Sequence, residues 1–231
     1  MTFLFRDTVS TSVGTVSIGF TERRLDVGDH AEPSVRAASL AELAEVTGAR
    51  PALMRQVHGA EVAVIDGPSS GDERPRADAL VTERAGLALL ARAADCVPVL
   101  LVGDDGLVGA VHCGRPGLAA GVVPAAVARM RELGSTGLVA FVGPHVCGAC
   151  YEVPEEMRDE VAALVPTARS TTSWGTPALD LGAGVRAQLD SVGVIDVRAL
   201  DRCTREDEAW PSYRRDGAAA TRFAGVVWRQ Q

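Results

Sequence analysis

Short apolar runs crowd the middle of this chain and limit what it can fold into. Leu53–Val57, Glu61–Ile65, Ala79–Thr82, Leu87–Ala91, Val97–Val102 and Leu107–Val111 follow one another with no helical pattern between them. Runs of this length, rich in Val and Leu and bounded by Gly, Pro and Asp, read as strands. Strand after strand, in place of strict strand–helix alternation, favours mixed sheets layered with helices (an α+β domain) over a doubly wound parallel sheet. Further strands are predicted over Val13–Phe20, Leu138–Val142, Val194–Leu200 and Phe223–Trp228. Helices are predicted from Pro33 to just before Gly48, over Gly117–Leu133 with Gly134 closing it, over Pro154–Leu164 and over Leu181–Val192. Proline suits a first helical turn, and glycine suits the position just past a helix end. Gly67–Ala77 reads as a polar surface loop, and no linker divides residues 1–231, so one domain is expected. Aromatic residues are only 4% of the chain, which leaves Ala, Val and Leu to build the core.

Charge and composition exclude several classes. The net charge of −7 argues against a nucleic-acid or anionic-membrane surface, which needs a basic patch. No run approaches the ~18 apolar residues of a membrane span. The N-terminus lacks the apolar core and cleavage site of a secretory signal. A cytoplasmic protein is expected, as a monomer or weak homodimer. Its five cysteines are then free, buried or metal-bound, and not paired as disulfides. Neither a G-x-G-x-x-G after a strand nor a P-loop is present.

Chemistry concentrates at three strand ends. His58 in R-Q-V-H-G-A, Cys96 in A-D-C-V-P-V and His112 in G-A-V-H-C-G-R are two imidazoles and one thiol from separate segments. That is a zinc ligand set one ligand short, the arrangement that leaves a position for water or substrate. Asp78 and Asp95 are candidates for a general acid or base, or for the acceptor that orients a ligand histidine. Arg115 lies in a glycine turn entering a helix, where its guanidinium and the free N–H groups would suit an anion. Cys147-Gly-Ala-Cys150 is the one C-x-x-C. It is half a zinc ribbon with no second pair, and it reads as a tight loop with Tyr151 as a pocket wall. Arg202-Cys203-Thr204 and S-Y-R-R-D at 212–216 read as a solvated basic face.

Together these words resemble a known family. Q-V-H-G at 56–59, A-D-A-L-V-T at 77–82, A-D-C-V-P-V-L-L at 94–101, A-V-H-C-G-R-P-G at 110–117, G-P-H-V-C-G-A-C-Y-E-V at 143–153 and the C-terminal C-T and S-Y-R-R-D are similar, in order, to the laccase-domain or polyphenol-oxidase-like proteins. That family is also described as purine nucleoside phosphorylases and as a bacterial peptidoglycan editing factor. The resemblance covers essentially the whole chain. It implies a zinc site at His58, Cys96 and His112. It also implies phosphorolysis of adenosine, inosine and methylthioadenosine, with adenosine deamination as a further activity. Two words depart from the family pattern. A-V-H-A-G-W-R-G is here A-V-H-C-G-R-P-G, and the usual double cysteine before Tyr-Glu is Ala149-Cys150.

On this reading the partners are a purine nucleoside and phosphate. Arg55, Gln56, Arg115 and Tyr151 bind substrate, and Asp78, Asp95 and Cys96 carry the chemistry. Three alternatives stand beside it. One is a copper-dependent phenol oxidase, since blue-copper sites also use two His and one Cys, although multinuclear copper enzymes need more than the four histidines present. Another is a Cys96–His112 hydrolase or amidase editing peptidoglycan precursors. The last is a non-catalytic, zinc-stabilised binding domain.

Overall fold

A computed structural model describes residues 1–69 and 71–230. Ser70, within the polar 67–77 loop, and Gln231 lie outside the described residues. The chain opens with a hairpin, β1 (Phe3–Thr11) and β2 (Gly14–Thr21), then α1 (Pro33–Thr47) and the short strands β3 (Arg50–Ala52) and β4 (Val62–Val64). Four strands follow in succession: β5 (Ala79–Thr82), β6 (Leu87–Ala93), β7 (Val97–Gly103) and β8 (Val108–Cys113). They lead into α2 (Arg115–Ala120) and α3 (Val122–Glu132). The remainder is β9 (Leu138–Val142), α4 (Glu155–Leu164), β10 (Arg169–Thr171), β11 (Pro177–Leu179), α5 (Leu181–Ser191), β12 (Asp196–Ala199), α6 (Tyr213–Asp216) and β13 (Phe223–Arg229).

The expected α+β architecture with mixed sheets is present. One sheet has the order β1-β2-β13-β6-β3 and the other β12-β9-β7-β8-β5-β4, with β10 and β11 as a separate hairpin. Both large sheets mix directions: β3 runs parallel to β6, and β4 to β5 and β12 to β9, while the central pairs are antiparallel. The layers follow from side-chain alternation. Leu89 and Ala91 of β6 and Leu100 and Val102 of β7 face each other across the two sheets, with Ile18, Phe20 and Phe141. The alternate residues turn outward. Ala88 and Leu90 meet Leu43 of α1 and Trp228. Val99 and Leu101 meet Val123, Val127, Leu181 and Val185 from the helices on the far side. Strands covered on both faces carry apolar residues on both, which is why β7, Leu87–Ala91 of β6 and Val108–Val111 of β8 read as continuous apolar runs. Each buried Leu or Val contributes about 1.5–3 kcal/mol by leaving water.

Three local expectations differ from what is observed. Leu53–Val57 is not a strand. The strand lies just before it at Arg50–Ala52, and the backbone N–H groups of Leu53 and Arg55 donate to Ser69 and Pro75 of the polar loop. Leu53 and Met54 are apolar because they are buried, not because they pair in a ladder. The helix expected over Gly117–Leu133 is two helices broken at Gly121, whose φ of 78° ends one and begins the other. The strand Phe3–Thr11 carries little hydrophobic signal because its exposed positions after Leu4 are polar and it lies at a sheet edge.

Candidate active site

Strand register assembles the site. In the β7–β8 pair, Val97 lies opposite Cys113 and Pro98 opposite His112, so Cys96 enters β7 where β8 ends. In the β5–β8 pair, Ala79 lies opposite Val111, which sets Asp78 against His112. The N–H of His112 donates to the Asp78 carbonyl at 2.8 Å. His58 arrives on the loop before β4, the neighbour of β5. One ligand atom from each of His58, Cys96 and His112 lies within 4.8 Å of the others. Cys96 Sγ is 3.8 Å from His58 Nε2, and the two imidazole rings sit edge to face with centroids 4.8 Å apart.

Asp78 is fully buried, and its carboxylate organises this group. Oδ1 accepts from His112 Nδ1 at 2.9 Å and from the His58 N–H at 3.0 Å. Oδ2 accepts from the N–H groups of Gly59 at 2.7 Å and Val57 at 3.2 Å. Burial alone would raise the Asp78 pKa; the hydrogen bonds from His112, Gly59 and His58 outweigh it and hold the carboxyl below its ordinary value. With Nδ1 of His112 engaged, Nε2 is left for a metal, the carboxylate–histidine arrangement common behind metal ligands. Burial lowers the His112 pKa against the pull of Asp78, which favours the neutral, ligating imidazole. The same N–H bonds hold His58 at φ 61°, one of two non-glycine residues with positive φ among the described residues.

The other such residue is Asp95, at φ 89°. Its Oδ1 accepts from the Thr204 hydroxyl at 2.7 Å and its Oδ2 from the Arg214 N–H at 2.6 Å. Asp95 therefore ties two C-terminal loops to the strand end that presents Cys96. Strained backbone held by surrounding bonds is a mark of functional sites. Burial, with the Asp95 carboxylate adding to it, pushes the Cys96 thiol up to about 12, so a nearby cation is needed to make it a thiolate. The three residues fit a metal: one nitrogen from each imidazole and one sulfur lie within 4.8 Å of one another. The site is also cleared by Gly114, where a Cβ would lie 2.6 Å from His58 Cδ2 and 3.1 Å from Cys96 Sγ.

His58, Cys96 and His112 open into a cavity of about 740 Å³, also lined by Asp29, His30, Gln56, Arg92, Asp95, Tyr151, Tyr213, Arg214 and Arg222. That volume suits a nucleoside-sized ligand. Among the expected substrate residues, Gln56 and Tyr151 reach the cavity. Gln56 is held by the Arg92 backbone, giving its amide N–H to the Arg92 carbonyl at 2.9 Å and accepting the Arg92 N–H at 3.0 Å. Arg55 is exposed and is not among the lining residues. Its N–H and carbonyl pair with Pro75 and Ala77, which turns that segment toward the polar loop. Arg115 begins the six-residue α2 and is not a lining residue either.

The cations that do line the cavity are Arg92, Arg214 and Arg222. Arg92 is buried and committed to Asp29 at 2.7 Å and to the Met54 carbonyl at 2.8 Å. Arg214 packs over the Tyr151 ring at 4.5 Å. In the 212–216 tract, Tyr213 and Arg214 are exposed, as expected of a solvated face, but they also line the cavity, while Ser212 is buried. Ser212 caps the short α6, and the Arg214 N–H bond to Asp95 turns this end into the cavity. A buried arginine in β6 and the G-D-H turn at 28–30 carried no sequence signal of their own. Among the described residues no helix is long and apolar enough to cross a membrane, and all five cysteines are free.

Residues 8–230 match the family described as multi-copper polyphenol oxidoreductase laccase. A Streptomyces coelicolor protein named purine nucleoside phosphorylase is 51% identical over 223 residues, covering 93% of this chain and 91% of its own. A Streptomyces griseus protein of the same name is 53% identical over 209 residues, covering 87% and 84%. A crystal structure of a Neisseria meningitidis protein superposes with a TM-score of 0.85 at 27% identity and covers all of both chains.

Proposed function

The chain belongs to the multi-copper polyphenol oxidoreductase laccase family, and on that premise we propose that it is a purine nucleoside phosphorylase using zinc held by His58, Cys96 and His112. The observation that carries the reading is one cavity combining those three residues with two tyrosines and the guanidinium groups of Arg214 and Arg222, each of which also donates to a backbone carbonyl. Relatives named purine nucleoside phosphorylase share about half of its residues. The substrates we propose are adenosine, inosine and methylthioadenosine, with adenosine deamination as a side activity.

In phosphorolysis a phosphate oxygen forms a bond to C1′ of the ribose as the C1′–N9 bond breaks. The electron pair leaves with the purine, which takes up a proton. Arg214 and Arg222 are the groups we assign to phosphate, replacing Arg55 and Arg115, since guanidinium forks match its oxygens. Tyr151, whose hydroxyl burial keeps protonated, and Tyr213 at the mouth give the base an aromatic wall. Asp78 and Asp95 have both oxygens engaged, so each acts by positioning: Asp78 the imidazoles and Asp95 the Cys96 turn. His58, Cys96 and His112 would hold a zinc ion, which would supply Lewis acidity at this end of the cavity.

A copper oxidase of phenols is the reading suggested by the family's description. Of the chain's four histidines, His145 is buried and bonded to the Gly143 carbonyl and does not line this cavity. That leaves too few imidazoles for a multinuclear copper centre. A Cys96 hydrolase would need a thiolate that the protein alone disfavours. Incubation of the purified protein with adenosine, with and without phosphate, tests the proposal. Adenine and ribose 1-phosphate formed only with phosphate is the expected result. No phosphate-dependent release of base from any of the three nucleosides overturns it.

A further inference from the structure

The C-x-x-C pair finds its other half in space. Strands β9 and β12 run parallel, with Ala199 beside Val142, so the loops leaving them depart side by side. The pairing continues past the strands. The His145 N–H donates to the Arg202 carbonyl at 3.2 Å, and the Thr204 N–H donates to the His145 carbonyl at 3.0 Å. Each loop then makes a tight turn. The Cys150 and Tyr151 N–H groups donate to the Cys147 carbonyl, and the Glu206 and Asp207 N–H groups donate to the Cys203 carbonyl. Such turns put residues i and i+3 on one side. Cys147 and Cys150 thus face Cys203 and Glu206: a C-x-x-C knuckle against a C-x-x-E knuckle.

We propose that Cys147, Cys150, Cys203 and Glu206 form a second, structural site for a thiophilic divalent cation such as zinc, separate from the cavity site. One donor atom from each of the four residues lies within 4.8 Å of the others. Donors around tetrahedral zinc at Zn–S bonds of 2.3 Å stand about 3.8 Å apart, so the cluster needs only a small contraction to close. The Cys203 sulfur accepts the Cys147 N–H at 3.4 Å, the kind of backbone bond a thiolate ligand takes. Cys150 Sγ meets Glu206 Oε1 at 3.4 Å. Cys150 is buried while Glu206 is exposed, which gives the ion a way in from solvent. The chemistry is that of a closed structural site, with four protein ligands and no open position. An ion here locks together two loops that carry the cavity wall. Tyr151 follows Cys150, and Thr204, the partner of Asp95, follows Cys203.

The variant His58→Ala/Cys96→Ser/His112→Ala removes the cavity site and keeps this one. Prepared under reductant with zinc and then desalted, it is expected to retain one zinc per chain. Iodoacetamide should leave Cys147, Cys150 and Cys203 unmodified until a chelator is added, after which all three react. Adding Cys203→Ser should abolish the retained zinc. No zinc in the triple variant, alkylation indifferent to chelator, or a Cys147–Cys150 or Cys147–Cys203 disulfide as the dominant species in fresh lysate overturns the proposal. Should the triple variant fail to fold, cobalt titration of the wild-type protein decides. Saturation at two equivalents, one of them with the stronger thiolate-to-cobalt absorption, supports the second site, and saturation at one overturns it.

Discussion

Replacing Asp78 with Asn changes no volume and removes one acceptor. Each carboxylate oxygen accepts two N–H donors: Oδ1 from His112 and His58, Oδ2 from Gly59 and Val57. Whichever oxygen becomes an amide nitrogen, two donors then face an NH2 group on a fully buried side chain. Leaving a buried donor unmet costs about 1–3 kcal/mol, so two at ~1.5 kcal/mol each give ~3 kcal/mol of lost stability. For a chain of this size, each kcal/mol moves Tm by about 2–4 °C, so a fall of about 6–12 °C is expected. The His58 loop and the His112 ring lose their anchor together, and zinc affinity should fall about 10–100-fold, the usual effect of losing a group behind a metal ligand. Thermal unfolding of metal-free protein and a competitive chelator titration read the two effects separately. An Asp78→Asn protein with wild-type Tm and wild-type zinc affinity would refute the role assigned to this carboxylate.

Gly114→Ala places a methyl against His58 Cδ2 and Cys96 Sγ at an ordinary backbone φ of −83°. Zinc affinity should drop at least about tenfold, or ~1.4 kcal/mol, with far-UV circular dichroism unchanged; an unaffected metal titration would show that the cradle is looser than it looks. Arg214→Ala and Arg222→Ala should each raise the KM for phosphate about tenfold, while Arg55→Ala leaves it alone; steady-state kinetics with the reverse pattern would return the anion site to Arg55. Asp29 is raised by burial but more strongly lowered by Arg92 and Arg74, to about 2. A depressed carboxyl stabilises above its unfolded pKa of about 3.9 and loses that contribution as pH falls toward 2. Urea unfolding across this window should therefore show an acid slope that Asp29→Asn flattens, and an unchanged slope would contradict the assignment.

Much of the layered fold was legible because buried strands advertise themselves. β5, β7 and β9 are apolar on both faces and were bounded to within a residue. β1 was invisible because an edge strand with one wet face carries little hydrophobic signal. The convergence of His58, Cys96 and His112 was legible as residue types at strand ends, and register then supplied the reason. The partners of the site were not. Arg92 sits one residue from the end of β6, after an apolar run, and Arg214 lies in a basic tract that looks like ordinary surface. The Asp95 carboxylate, reaching across the fold to Thr204 and the Arg214 N–H, helps set that tract at the edge of the cavity. Cys203 and Glu206 were likewise unreadable as partners of Cys147 and Cys150. They lie 56 positions away in the chain, and the parallel pairing of β9 with β12 is what brings them alongside.

Anomalous diffraction at the zinc absorption edge, from crystals grown with zinc, is the direct test of the metal centre at the cavity. The expected result is a peak at about 2.0–2.3 Å from His58 Nε2, Cys96 Sγ and His112 Nε2, with Nδ1 of His112 still on Asp78. Density at full zinc supply with no peak among these three side chains would contradict it.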